Sequence, residues 1–149
     1  MTAEARRLQM MPNKAMRILI ADKQHFHSMQ IERELNRYGY YRIAPVHSLD
    51  ELLRLVEYAS EAFDLLIINA SLPIPRTFDL LTFCRNNSQL KHALIYAEDN
   101  TQQPSVSGKK QQRIQLCPLR LPEAETIKNV LRLVDPATQA NRAQHPNEQ

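Results

Sequence analysis

Asp64-Leu65-Leu66-Ile67-Ile68-Asn69 is the most apolar run in the chain, and it constrains the fold more than any other feature. It shows no polar alternation and is far too short to cross a bilayer, so it reads as a central strand covered on both faces. Arg17-Ile18-Leu19-Ile20-Ala21, ending at Asp22, has the same character. Three further runs read as strands: Tyr41 to Val46, Ala93 to Ala97, and an edge-like Arg113 to Cys117.

Between these runs the apolar period changes to that of a helix. From His25 to Tyr38 the apolar residues Phe26, Met29, Ile31, Leu35 and Tyr38 recur at helical spacing, and Gly39 supplies the left-handed position that stops a helix. Ser48 is placed as the N-cap of a second helix, with Glu51 completing a capping box. A third helix is expected from about Phe78 to Asn86, and a last one over 123–134, after Pro122, on Ile127, Val130, Leu131 and Val134. Residues 70–75, with Pro73 and Pro75, read as a loop. The segment from Asp99 to Gly108 holds one apolar residue where the alternation calls for a fourth amphipathic helix, so that helix is expected to be short, frayed or absent.

Five short strands alternating with helices imply right-handed crossovers and a parallel sheet with helices on both faces. The packed domain is expected over 16–134, with a disordered arm at 1–15 and a disordered tail at 135–149; Met11 and Met16 are alternative starts to Met1. A ligand site in such a fold lies beyond the carboxyl ends of the strands. The residues to examine are therefore Asp22 and Lys23, Asn69, Tyr96 and Ala97, and Leu121 and Pro122.

Composition narrows the chemistry. Only two glycines occur, Gly39 and Gly108, which excludes the Gly-rich loops that cradle a nucleotide phosphate. The two cysteines, Cys84 and Cys117, lie far apart in apolar surroundings and read as buried thiols, which with the absence of a long apolar segment gives the expectation of a cytoplasmic protein. The formal charge of +3 is unevenly placed. Residues 16–108 hold nine basic and eleven acidic groups, whereas 109–132 hold six basic groups against two acidic ones. Arg113, Arg120, Lys128 and Arg132 thus form a candidate face for an acidic partner, beside the alternative of an ordinary solvated surface.

The order Arg-Ile-Leu-Ile-Ala-Asp-Lys-Gln from Arg17, then Asp-Leu-Leu-Ile-Ile-Asn-Ala-Ser-Leu-Pro from Asp64, then Ala-Leu-Ile-Tyr-Ala-Glu-Asp from Ala93, resembles the receiver domain of two-component response regulators. The resemblance covers about Met16 to Val134 and implies an α/β, flavodoxin-like (CheY-like) fold with a five-stranded parallel sheet in the order 2-1-3-4-5. It implies an aspartate at the end of the third strand that takes a phosphoryl group, acids at the end of the first strand that hold magnesium, a hydroxyl after the fourth strand and a Lys-Pro after the fifth. At those positions this chain has Asn69, the pair Asp22 and Lys23, Tyr96, and Leu121-Pro122 beside Arg120. An amide has no anionic oxygen to attack phosphorus, and one of the two metal acids is replaced by an ammonium, so neither metal binding nor phosphotransfer is expected. Asp64 begins its strand and Asp79 is expected within the next helix, so neither is expected to substitute.

Other side chains carry a sharp and a bland reading. Lys23 either fills the metal position and pairs with Asp22 or faces solvent. His25 and His27 lack a third ligand nearby and read as a helix-start pair. Tyr38, Tyr40 and Tyr41 read as anchors of the turn at Gly39, and Cys84 as a core residue with no base beside it.

The resulting expectation is an aspartate-less, non-enzymatic receiver-like module, without metal or cofactor, that binds a protein partner in bacterial phosphorelay signalling. The partner would be a sensor kinase, a histidine phosphotransfer domain or an output protein. Two alternatives remain at this point: a sensor of a small anion using Asp22, Lys23, Asn69 and Tyr96, and a nucleic-acid-binding accessory protein using the basic last third.

Overall fold

The computed structural model describes residues 15–97 and 113–135. The arm expected at 1–15 and the tail expected at 135–149 lie, except for Ala15 and Asp135, outside the described residues, as does 99–108, where a short, frayed or absent helix was expected. Five strands form one parallel sheet: β1 (Ile18–Ala21), β2 (Ile43–Val46), β3 (Leu65–Asn69), β4 (Ala93–Tyr96) and β5 (Ile114–Cys117), in the order β2-β1-β3-β4-β5. Residues of β1, β3 and β4 are buried throughout, as continuous apolar runs require when both faces are covered. The edge strand β2 carries Pro45, exposed and without an amide hydrogen to offer a further strand.

Four helices follow among the described residues: α1 (His25–Arg37), α2 (Leu49–Glu57), α3 (Leu80–Asn86) and α4 (Ala124–Val134). Helices α1 and α4 cover one face, where Ile31, Leu35, Ile127, Val130 and Leu131 pack on Ile18, Ile20, Ile67, Leu94 and Tyr96. Helices α2 and α3 cover the other, where Leu52, Val56 and Cys84 pack on Leu19, Leu66, Ile68 and Ile95. Each buried aliphatic side chain contributes about 1.5–3 kcal/mol, so the sheet is held mainly by these two apolar layers. No helix among the described residues is long and apolar enough to cross a membrane.

The helix ends follow local chemistry. The Ser48 hydroxyl accepts the Glu51 amide at 3.2 Å, and Gly39 takes φ 94° one residue after the α1 cap at Tyr38. Asp79 corrects an expectation: it lies one residue before α3 and caps it by accepting the Thr82 amide at 3.2 Å. The packed chain also extends to Asp135, fully buried after α4, whose carboxylate accepts the Tyr40 hydroxyl at 2.5 Å. The phase of α1 differs from expectation as well. Its buried side chains are His27, Ser28, Ile31 and Leu35, while Phe26 and Met29 face solvent. A buried hydrogen-bonding partner for His27 outweighs the apolar pattern in choosing that face.

Candidate functional site

The strand register assembles the site. Ala21 pairs with Ile68, which sets Asp22 level with Asn69; Asn69 pairs with Tyr96, and Tyr96 with Cys117. The carboxyl ends of β1, β3 and β4 therefore present Asp22, Asn69 and Tyr96 side by side, and the first turn of α1 brings His27 over them. All four are buried, Tyr96 completely and Asn69 least so at 9% exposure.

Asp22 is the hub. Its Oδ2 accepts the Tyr96 hydroxyl at 2.5 Å, the His27 Nδ1 at 2.9 Å and the Asn69 Nδ2 at 3.1 Å, while Oδ1 accepts the Gln24 amide at 2.8 Å. Burial pushes the Asp22 carboxyl up, but the donors from Tyr96, Gln24, Asn69 and His27 together hold it below the usual carboxylate range. Burial pushes the Tyr96 phenol far up, and the neighbouring Asp22 carboxylate adds to this. The proton therefore stays on Tyr96 and the charge on Asp22. Because an ionised carboxylate only accepts, the His27 Nδ1 must carry a hydrogen. Asn69 is held at both ends: its Oδ1 accepts the Ser71 amide at 2.8 Å, which turns its NH2 group toward Asp22.

This arrangement can be tested against the magnesium ion that the receiver resemblance implies. Three donors crowd Oδ2 of Asp22 and the Gln24 amide takes one position on Oδ1, so the carboxylate has at most one lone-pair position left, on Oδ1. The oxygen of Asn69 faces Ser71, and Lys23 is exposed rather than aimed into the cluster. The residues do not fit a hard cation, which needs free oxygen ligands in octahedral array. Nor do they offer an anionic oxygen for phosphoryl transfer at position 69.

Other sequence-selected residues lie around or away from this hub. Among the described residues the side chain paired with Asp22 is that of His27, through a hydrogen bond, and not that of Lys23. His25 is exposed and meets His47 edge-on, ring centroids 5.6 Å apart, while the His47 Nδ1 donates to the Asp22 carbonyl at 3.1 Å. Leu121 is half-buried, packs against the α1/α4 core and lines a surface cavity with α1. Arg113 sits at the amino end of β5, its guanidinium donating to the carbonyls of Lys91, Arg85 and Leu90 at 2.8, 3.3 and 2.5 Å. Arg120 follows the opposite end of β5 and is exposed; Lys128, half-buried, and Arg132, exposed, lie on α4. Cys84 is buried, and desolvation pushes its thiol up to about 12, which removes it as a nucleophile at neutral pH.

Sequence reasoning missed His27, Gln24 and Ser71 as members of the site. His27 carried a usable signal, since it is in phase with Ile31 and Leu35 on the buried side of α1. The two backbone amides carried none.

Comparison with solved structures agrees with this architecture. A receiver domain of a two-component histidine kinase from Clostridium thermocellum matches with TM-score 0.60 at 16% identity, over 80% of this chain and 97% of that one. A receiver domain protein from Bacillus halodurans matches with TM-score 0.61 at 17% identity, over 81% and 97%. A CheY-like receiver domain from Methylobacillus flagellatus matches with TM-score 0.59 at 12% identity, over 80% and 98%. The fold is that of a receiver domain. No family model matches the chain, and no curated protein matches it in sequence. Within the receiver fold, the polar cluster occupies the carboxyl end of the sheet, where open parallel sheets place their ligand sites.

Proposed function

We propose that this chain is a receiver-fold protein-interaction module of bacterial two-component signalling that works without phosphorylation. It catalyses no reaction and uses no cofactor or metal; its partner is a sensor kinase, a histidine phosphotransfer domain or an output protein, met in the cytoplasm. The observation that carries this reading is the donor set around Asp22. An amide stands where a nucleophile is needed, and Tyr96 places its hydroxyl 2.5 Å from the carboxylate that would face the metal. The protein's own side chains thus take the place of the ligands a working receiver would recruit.

The other readings draw less support. A small-anion sensor would need access to Asp22, Asn69 and Tyr96, all buried, and a cation aimed inward, whereas Lys23 is exposed. A nucleic-acid face would need its cations together, whereas Arg113 is bound to carbonyls at the far end of β5. Intact mass after incubation with acetyl phosphate and magnesium tests the proposal. An unchanged mass is expected; a gain of one phosphoryl group that disappears on substituting a single aspartate overturns it.

A further inference from the structure

Two histidines at the carboxyl end of the sheet stand outside the side-chain cluster on Asp22. The sequence sets His25 beside His27, but residues two apart on a helix point to different sides, and the structure parts them. His27 turns inward to the Asp22 carboxylate. His25, the first residue of α1, is exposed and meets the half-buried His47, the residue after β2. Their ring centroids are 5.6 Å apart and their planes cross at 62°. Besides each other, their one partner among the described residues is the Asp22 carbonyl, 3.1 Å from the His47 Nδ1.

That bond decides the tautomer of His47. A carbonyl oxygen only accepts, so Nδ1 carries the hydrogen and Nε2 keeps its lone pair. A ring held through one nitrogen by a backbone carbonyl, with the other nitrogen left for a ligand, is the arrangement in which histidine binds metal ions. The ring separation fits the same use. With metal–nitrogen bonds of about 2.0–2.1 Å, two imidazoles on one tetrahedral ion hold their centroids about 5–5.5 Å apart. A small turn of the exposed His25 ring covers the remaining distance.

We propose that His25 and His47 form a two-imidazole site for a borderline divalent transition-metal ion of the Zn2+ or Cu2+ class. Imidazole nitrogen suits these ions, whereas Mg2+ takes oxygen ligands. Among the described residues no third His, Cys, Asp or Glu side chain completes a cluster with the pair, so water fills the remaining positions. Lys23 is exposed, and water screens its repulsion of an ion. The ion ties the first turn of α1 to the turn that leads into α2. The unfolded chain does not hold these two rings together, so an ion that bridges them stabilises the fold. The site goes beyond the interaction-module reading, in which nothing at the Asp22 cluster needs a metal. Here the ion is a ligand of the rim, and phosphoryl gain at an aspartate has no bearing on it.

Proton–nitrogen NMR of the imidazole groups in the full chain, with Zn2+ alone as titrant and Mg2+ as the contrast, tests the site. Zn2+ is expected to move the His47 Nε2 resonance and one His25 ring nitrogen together, saturating at one ion per chain. His92, which precedes β4 at the opposite end of the sheet, is expected to stay in place, and Mg2+ to move none of them. His25→Ala, at an exposed position, and His47→Ala should each raise the Zn2+ dissociation constant about tenfold or more, the advantage of two held ligands over one. His92→Ala should leave it unchanged. Saturating Zn2+ is expected to raise the thermal midpoint of wild type but not of His25→Ala, each protein being compared with itself without metal. Zn2+ shifts confined to His145, binding that survives the loss of either imidazole, or no binding up to about 1 mM Zn2+ overturns the proposal.

Discussion

The two ends of the sheet each gather charged and polar groups, and they use them differently. At the carboxyl end, one buried carboxylate receives four donors from two strand ends, a helix turn and a loop. At the amino end, the groups are part-exposed and splayed. The Arg17 amide donates to Asp64 at 2.8 Å, its guanidinium bonds to the Glu61 carbonyl and lies 4.2 Å over the Phe63 ring, and Lys91 reaches Asp64 at 3.5 Å. Arg113 clasps the carbonyls nearby. Burial makes the difference: a carboxylate taken out of water must find every partner inside the protein, whereas part-exposed groups share theirs with solvent. The carboxyl end is therefore cooperative and unforgiving, and the amino end is a set of separable clasps.

The largest expected effect comes from removing the hub. Asp22→Ala leaves the Tyr96 hydroxyl, the Asn69 amide and the His27 Nδ1 buried without their acceptor, a loss of about 3–5 kcal/mol. Thermal unfolding should show a midpoint more than about 10 °C lower. A loss no larger than that of a surface substitution would erase the contrast between the two ends.

Asn69→Asp comes next, since it sets a second carboxylate against Asp22 where an NH2 group now donates. One of the two must then hold a proton, so a folded-state pKa rises above its unfolded value. The penalty, about 2–3 kcal/mol at pH 7, is expected to shrink as pH falls toward about 4, read by urea unfolding across pH. Wild type moves the other way. The Asp22 carboxyl is held below its ordinary 3.8, so its contribution is present above that value and is withdrawn as pH falls through the folded one.

Tyr96→Phe removes one charge-assisted bond without opening the core and should cost about 2 kcal/mol. At the other end, Arg113→Ala gives up bonds from an exposed guanidinium and should cost less than about 1 kcal/mol in the same denaturation assay. If these two are reversed in size, the amino end rather than the carboxyl end is the organising cluster.

Much of this architecture was legible in the residues. The unbroken apolar character of Leu65–Ile68 and Ile18–Ala21 required strands covered on both faces, and the alternation with helices gave the 2-1-3-4-5 order through the receiver resemblance. The level placement of Asp22, Asn69 and Tyr96 followed from the same strand ends. What could not be read was direction. An arginine at 113 looks the same in sequence whether it faces a partner or bends back onto backbone carbonyls, and only the strand's orientation places it at the amino end. A lysine beside Asp22 suggested an ion pair, but successive residues leave a strand end on opposite sides, and the inward position belongs to Asp22. The phase of α1 escaped because apolar residues were taken to point inward, while a histidine with a buried partner did so instead.

The central claim is that Tyr96 and its neighbours occupy Asp22 in place of any external ligand. Carbon-13 NMR titration of the Asp22 carboxyl, in wild type and Tyr96→Phe, with and without magnesium, tests it most directly. A wild-type midpoint below 3.8 is expected, one that magnesium leaves in place and that moves upward in Tyr96→Phe. An ordinary midpoint that ignores the loss of the phenol, or one that magnesium shifts in wild type, would contradict it.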